Sequence, residues 1–124
     1  MTSIYLIRHA EAEGNLFRRA QGHWNGKVTD RGRRQIDALA ERFRGVKIDA
    51  VYSSDLDRTV ATAGALLRGR ELELVTTPRL REINMGVWEG EPWGNITYRW
   101  PEQMYLFNNC LLYTSPSPRD RSLS

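Results

Sequence analysis

The chain has one cysteine, Cys110, in its 124 residues, so an internal disulfide is excluded and the thiol content fits a reducing compartment. No apolar run approaches the length needed to cross a bilayer. The first ten residues lack the cationic start, long apolar centre and cleavage site of a signal peptide. Histidine is scarce, with His9 and His23 alone, and no Cys/His/carboxylate cluster has metal-ligand spacing, so neither metal nor cofactor is expected. Lys and Arg outnumber Asp and Glu by 18 to 15, but no basic block or aromatic-interleaved stripe is present. That pattern argues against a nucleic-acid partner. Together these absences lead to the expectation of a cytoplasmic protein with no membrane partner. There is no internal repeat either.

What is present is ordinary in amount and ordered in pattern. Apolar residues make up 40% and charged residues 27%, as in a globular domain, and the length allows one domain with a modest core. The pattern predicts a strand over Ser3 to Ile7, buried on both faces, followed by a long polar loop. A helix is predicted from Thr29, with the Thr29 hydroxyl as N-cap and Ile36, Leu39, Ala40 and Phe43 on one face. A second strand over Ala50 to Ser53 leads to a helix from about Ser54 to Leu67, ended by Gly69. A third strand, Glu71 to Thr77, stops at Pro78. Strands alternating with helices predict an α/β fold of three layers, α/β/α, with a mainly parallel sheet. The aromatic segment Trp88 to Trp100 reads as a loop or lid over the site, with a short helix before Pro101 and tryptophans that pack.

Function is concentrated at strand ends. The first predicted strand runs into the adjacent pair Arg8-His9, at the carboxyl end where open α/β sheets bind ligands. An imidazole can attack phosphorus, and a guanidinium can hold a phosphate through its planar fork. Taken alone, such a pair is a capped strand end with a surface arginine and a packed histidine. Three further segments change that reading. Thr29-Asp-Arg-Gly opens a helix; Ser53-Ser-Asp-Leu-Asp-Arg-Thr-Val-Ala-Thr62 places Arg58 at another helix start; Leu80-Arg-Glu-Ile-Asn-Met-Gly-Val-Trp-Glu-Gly90 places Glu82 after a third strand.

With Leu6-Ile-Arg-His-Ala10, these four ordered motifs resemble the histidine phosphatase superfamily, which includes phosphoglycerate mutases and acid phosphatases. The resemblance covers roughly residues 3 to 102. It implies a phosphomonoester hydrolase acting through phosphohistidine, with a small phosphorylated substrate and no metal or cofactor. His9 would be the nucleophile, Arg8 and Arg58 the phosphate-pocket cations, and Glu82 the general acid. Asn15 matches the family's loop asparagine, and Gln21 and Gly22 are weaker loop contacts. The plainer reading of Glu82 is an ion pair with Arg79 or Arg81. Two departures bear on positioning: Ala10 stands where a glycine is common, and Ala12 where a hydroxyl residue is frequent.

The family also uses a second histidine, in a His-Gly motif on a later strand. His23 lies in the polar loop before the first helix and is not carried over to that role. Beyond residue 109 the character changes: Cys110 to Asp120 resembles the in-frame translation of a transposase-type sequencing-library adapter. The expected organisation is therefore residues 1–109 as the N-terminal part of a histidine phosphatase domain, incomplete at the C-terminus. Residues 110–124 are expected to be a non-native, disordered tail. Two alternatives stay open: a mutase-like phosphoryl transfer, and an inactive phosphate-binding fragment lacking its second histidine.

Overall fold

The computed structural model describes residues 1–109, so the tail expected at 110–124 lies outside the described residues. The polar loop after Arg8-His9 holds one helical turn, α1 (Glu13–Leu16). Asn15 folds back there, its side-chain oxygen accepting from the Ala12 N–H at 3.0 Å, which satisfies one donor at the helix start. Helix α2 (Asp30–Phe43) begins as the sequence predicts, with the Thr29 hydroxyl accepting from the Gly32 N–H at 3.1 Å. Ile36 is buried with Leu39 and Ala40 packed beside it, while Phe43 joins the cluster around Val51.

Strand β1 (Val51–Ser53) follows, then α3 (Asp57–Leu67) and strand β2 (Leu74–Thr76). Gly69 takes φ +72° just past α3, the left-handed conformation that glycine adopts without a Cβ penalty. β1 and β2 pair in parallel, with Val51 opposite Leu74 and Ser53 opposite Thr76. Parallel partners need a crossover, and α3 is that crossover. Val51, Ala63 and Leu66 form a buried cluster with Leu39, Phe43 and Leu74 around it, so α2 and α3 cover one face of the pair. On the other face Tyr52 and Val75, opposite each other in register, stand exposed.

The first predicted strand is a correction. Among the described residues, Ser3 to Ile7 pairs with no strand, and Ile4 and Leu6 are 79% and 94% exposed. Ile7 nevertheless joins the cluster around Val51, and the Tyr5 ring meets Phe43 edge-on at 5.3 Å. Ile7 is half-buried while Ile4, Tyr5 and Leu6 are exposed, so cover reaches the segment only at its end and through the Tyr5 ring edge. A strand buried on both faces needs a second layer, and α2 and α3 supply the first.

The aromatic segment carries the short helix expected before Pro101. The turn Gly86–Trp88 leads to α4 (Trp93–Arg99) and α5 (Pro101–Asn109). Trp88 and Ile96 are fully buried with Ala20, and Trp93, Trp100, Met104 and Phe107 pack around them. Trp88 meets Phe107 nearly perpendicular at 5.5 Å, an edge-to-face arrangement. The tryptophans pack, as expected, but into a core of their own. None of residues 88–100 lines the cavity described next.

Candidate active site

Three segments distant in sequence meet at one end of the parallel pair. They bound a cavity of about 180 Å³ lined by Ile7, Arg8, His9, Ser54, Arg58, Thr59, Leu80 and Glu82. The four residues expected to carry chemistry therefore share one cavity.

His9 is half-buried and fixed by its backbone. Its Nδ1 lies 2.7 Å from the carbonyl of Ala10. A carbonyl can only accept, so Nδ1 carries the proton and Nε2 keeps its lone pair. The Ala10 N–H donates to the buried Thr62 hydroxyl at 2.8 Å, which pins the chain just after His9 onto α3. Burial lowers the His9 pKa from its ordinary value. The charges of Arg58 and Arg8 act the same way, while the Ala10 bond and Glu82 oppose them. Ala10 has ordinary backbone angles, since Arg18 is the non-glycine with positive φ among the described residues. Alanine in place of glycine therefore introduces no strain there.

The two arginines differ. Arg8 is exposed and has no hydrogen-bond or ion-pair partner among the described residues, so its fork of donors is open. Arg58 is 1% exposed, and its terminal nitrogens are engaged: Nη1 donates to Trp24 O at 2.8 Å, and Nη2 to Gln21 O and Gly22 O at 3.0 and 2.8 Å. Its Nε is buried without a partner. Burial lowers the Arg58 pKa, with Glu82 and Glu89 opposing the shift. What Arg58 offers the cavity is mainly charge, while its donors hold the loop 21–24.

Glu82 is exposed at the cavity wall and pairs with neither Arg79 nor Arg81. Arg81 instead grips Asp55 in a bidentate ion pair, both bonds 2.7 Å, which holds the Asp55 carboxyl below the usual carboxylate range. That pair fixes the backbone beside Glu82 to the β1–α3 turn. The plainer reading of Glu82 as an ion-pair partner is therefore set aside, and its carboxylate is open.

The expected loop contacts are elsewhere. The Asn15 side-chain oxygen accepts from Ala12 and from Gln21 Nε2, and neither Asn15, Gln21 nor Gly22 lines the cavity. Gln21 and Gly22 serve through their carbonyls, as acceptors for Arg58. Ala12 is fully buried. His23 also lies outside the cavity lining, with its ring Nε2 3.0 Å from the Glu82 carbonyl. Among the described residues no group of three or more His, Cys, Asp or Glu side chains could hold a metal ion.

Two residues escaped the sequence reading, Thr62 and Glu89. Both lie inside the quoted motifs, but a motif specifies residue type and not partner. The Glu89 carboxylate accepts from three backbone N–H groups, His23 at 2.8 Å, Trp24 at 2.6 Å and Met85 at 2.7 Å. The sequence signal for it is the run Gly86-Val-Trp-Glu-Gly90, whose acid sits between tight turns.

Residues 4–122 match the family model of the histidine phosphatase superfamily (branch 1). A curated relative from Yersinia pestis, named "Probable phosphoglycerate mutase GpmB", is 42% identical over 107 residues, 84% of this chain and 50% of its own length. Among solved structures, mycobacterial glucosyl-3-phosphoglycerate phosphatase, studied with VO3, superposes with a TM-score of 0.80 at 27% identity, covering 86% of this chain and 53% of that one. The alpha-ribazole phosphatase of Shigella flexneri gives 0.78 at 29% identity, covering 89% and 55%. The chain spans about half the length of the curated relatives it matches.

Proposed function

We propose, for a chain that belongs to the histidine phosphatase superfamily, phosphomonoester hydrolysis through a phosphohistidine on His9. The observation that carries this reading is the shared cavity. It brings an imidazole with its Nδ1 tethered, an open guanidinium on Arg8, the buried charge of Arg58 and an open carboxylate on Glu82 against one volume. A neutral imidazole is required of a nucleophile, and burial among cations favours that form.

The phosphoryl group would lie against Arg8, with Arg58 contributing charge behind it. Negative charge spreads over the equatorial oxygens during transfer, so fixed cations lower the barrier. Nε2 of His9 attacks phosphorus, the P–O bond to the leaving group breaks, and protonated Glu82 gives its proton to the departing oxygen. Water then gives a proton to the Glu82 carboxylate as it attacks, and the N–P bond breaks. Each charge at about 4 Å from the phosphate is worth roughly 4 kcal/mol at an effective dielectric near 20, enough to bind substrate and stabilise transfer. The substrate would be a small phosphorylated molecule.

A second reading, mutase-like transfer to another hydroxyl, is favoured by the name of the Yersinia relative. The first half-reaction is the same, and only the acceptor of the phosphoryl group differs. An inactive phosphate-binding role is favoured by the position of His23, outside the cavity, which leaves His9 as the sole imidazole lining it among the described residues.

The test uses the full-length protein and a radiolabelled phosphomonoester, quenched during turnover. An acid-labile, alkali-stable label on His9 is expected, and His9→Asn should lose both label and turnover while remaining folded. Turnover persisting in His9→Asn would end the phosphohistidine reading. Stimulation by a diphosphorylated primer, with isomerised product, would select the mutase; binding without label would select the inactive phosphate-binding role.

A further inference from the structure

We propose that Glu89 is a positioning residue for the proposed reaction, holding the segment of the acid Glu82 against the loop 21–24 through backbone hydrogen bonds. The inference rests on the phosphohistidine reading above. The peptide unit between Gly22 and His23 is held at both ends: its carbonyl accepts from Arg58 Nη2 at 2.8 Å, and its N–H donates to Glu89 Oε1 at 2.8 Å. The buried guanidinium and the carboxylate are thus joined through one polarised peptide. The same Oε1 accepts from the Met85 N–H at 2.7 Å, and Oε2 from the Trp24 N–H at 2.6 Å.

Those bonds tie two segments that make the cavity work. Loop 21–24 presents the three carbonyls that hold Arg58. Segment 82–85 carries Glu82, and its second tie to the loop is the His23 ring, whose Nε2 sits 3.0 Å from the Glu82 carbonyl. The approach is close enough that a Cβ on Gly22 would meet Glu89 Oε1 at 2.7 Å and collide with the Ile83 carbonyl. Glu89 does not line the cavity, so it acts through these neighbours and touches no substrate. Hydrogen bonds to a carboxylate are among the stronger ones, and three in one place fix a loop that no strand or helix fixes.

Glu89→Gln keeps the shape but turns one acceptor oxygen into an NH2 that cannot accept from a backbone N–H. If Glu89 places Glu82, the variant should lose activity where acid catalysis matters. General acid catalysis contributes about 10²–10⁴-fold, so a loss of about tenfold or more is expected in kcat on an alkyl phosphate, with little on an activated aryl phosphate. Glu82→Gln should show the same dependence on leaving group. The double variant should be no slower on the alkyl phosphate than Glu82→Gln alone, because both changes remove one function.

All variants are made in the full-length protein, with the thermal midpoint recorded. Equal losses on both substrates, or losses that multiply in the double variant, overturn the proposal. Should Glu89→Gln not fold, Glu89→Asp keeps the charge but cannot reach all three N–H groups, and it is read in the same way. If neither folds, Glu89 holds the domain together and the positioning role is overturned. Failure of the underlying reading is separate: it shows as turnover in His9→Asn, whatever Glu89 does.

Discussion

At the residue scale the site is a division of labour between charged groups that look alike in sequence. Arg8 and Arg58 were both expected to grip phosphate, yet Arg58 has its terminal donors on three backbone carbonyls while Arg8 has its fork open. A guanidinium buried this way orders a loop and leaves its charge behind as a field. His9 feels that field. Burial, with help from Arg58 and Arg8, lowers its pKa below the ordinary 6.5, so the neutral imidazole persists into mildly acidic solution. The acid limb of kcat/KM assigned to His9 should therefore lie below pH 6.5, measured on an aryl phosphate to minimise the demand on Glu82. A limb at or above pH 6.5 would contradict the environment described. The linked stability effect has a definite sign. With the folded pKa depressed, the unfolded chain binds more protons between the folded value and 6.5, so the His9 contribution is present above pH 6.5 and falls away as pH drops through that window. His9→Asn should remove that component.

At the element scale, helix α3 does more than cross between two parallel strands. Its Thr62 hydroxyl accepts from Ala10 N–H at 2.8 Å, and both groups are buried. Thr62→Val keeps the shape and strands that N–H, so a loss of about 1–3 kcal/mol is expected in the full-length protein. Thr62→Ser should restore most of it, and denaturant titration of the two variants would decide. Equal stability of Val and parent would mean that Ala10 finds another acceptor. Helix α3 itself was legible in the sequence, as were α2 with its Thr29 cap, β1 and the stop after α3 at Gly69. Local rules govern those: caps, periodicity and a residue that tolerates positive φ. Ser3 to Ile7 was misread as a paired strand because its apolar run reports two covered faces, and a run of side chains cannot say which layer supplies the second. The aromatic segment was legible as packing and illegible as to place, since its partner Ala20 comes from a remote part of the chain. That His9, Arg8, Arg58 and Glu82 share one cavity was legible because four motifs in order are specific. Glu89 was not, because its partners are backbone N–H groups, which every residue but proline carries.

At the scale of the whole molecule, the face of the parallel pair away from α2 and α3 is bare, and the unpaired segment 3–7 adds exposed apolar side chains of its own. Ile4 is 79% exposed, Leu6 94% and Tyr52 64%, with Val75 beside Tyr52 in register. Surfaces of this kind in isolated chains mark places where another element packs. The relatives are about twice as long as the matched stretch, and we expect the remainder of a full-length protein to lie over this face. Covering a large apolar side chain contributes about 1.5–3 kcal/mol, and whole domains are stable by only about 5–15 kcal/mol. Leaving several such residues in water removes much of that margin. The open carboxyl end of the cavity has the same consequence for activity, because Arg8 and Glu82 are exposed there and water screens their charges. The 124-residue chain expressed alone should therefore associate or melt over a broad range, bind a dye specific for exposed apolar surface, and show no appreciable turnover of an aryl phosphate. Calorimetry, sedimentation and a phosphatase assay on that chain check this together. A sharp monomeric transition with steady turnover would show that Arg8, His9, Arg58 and Glu82 suffice as they stand, and that the bare face needs no cover.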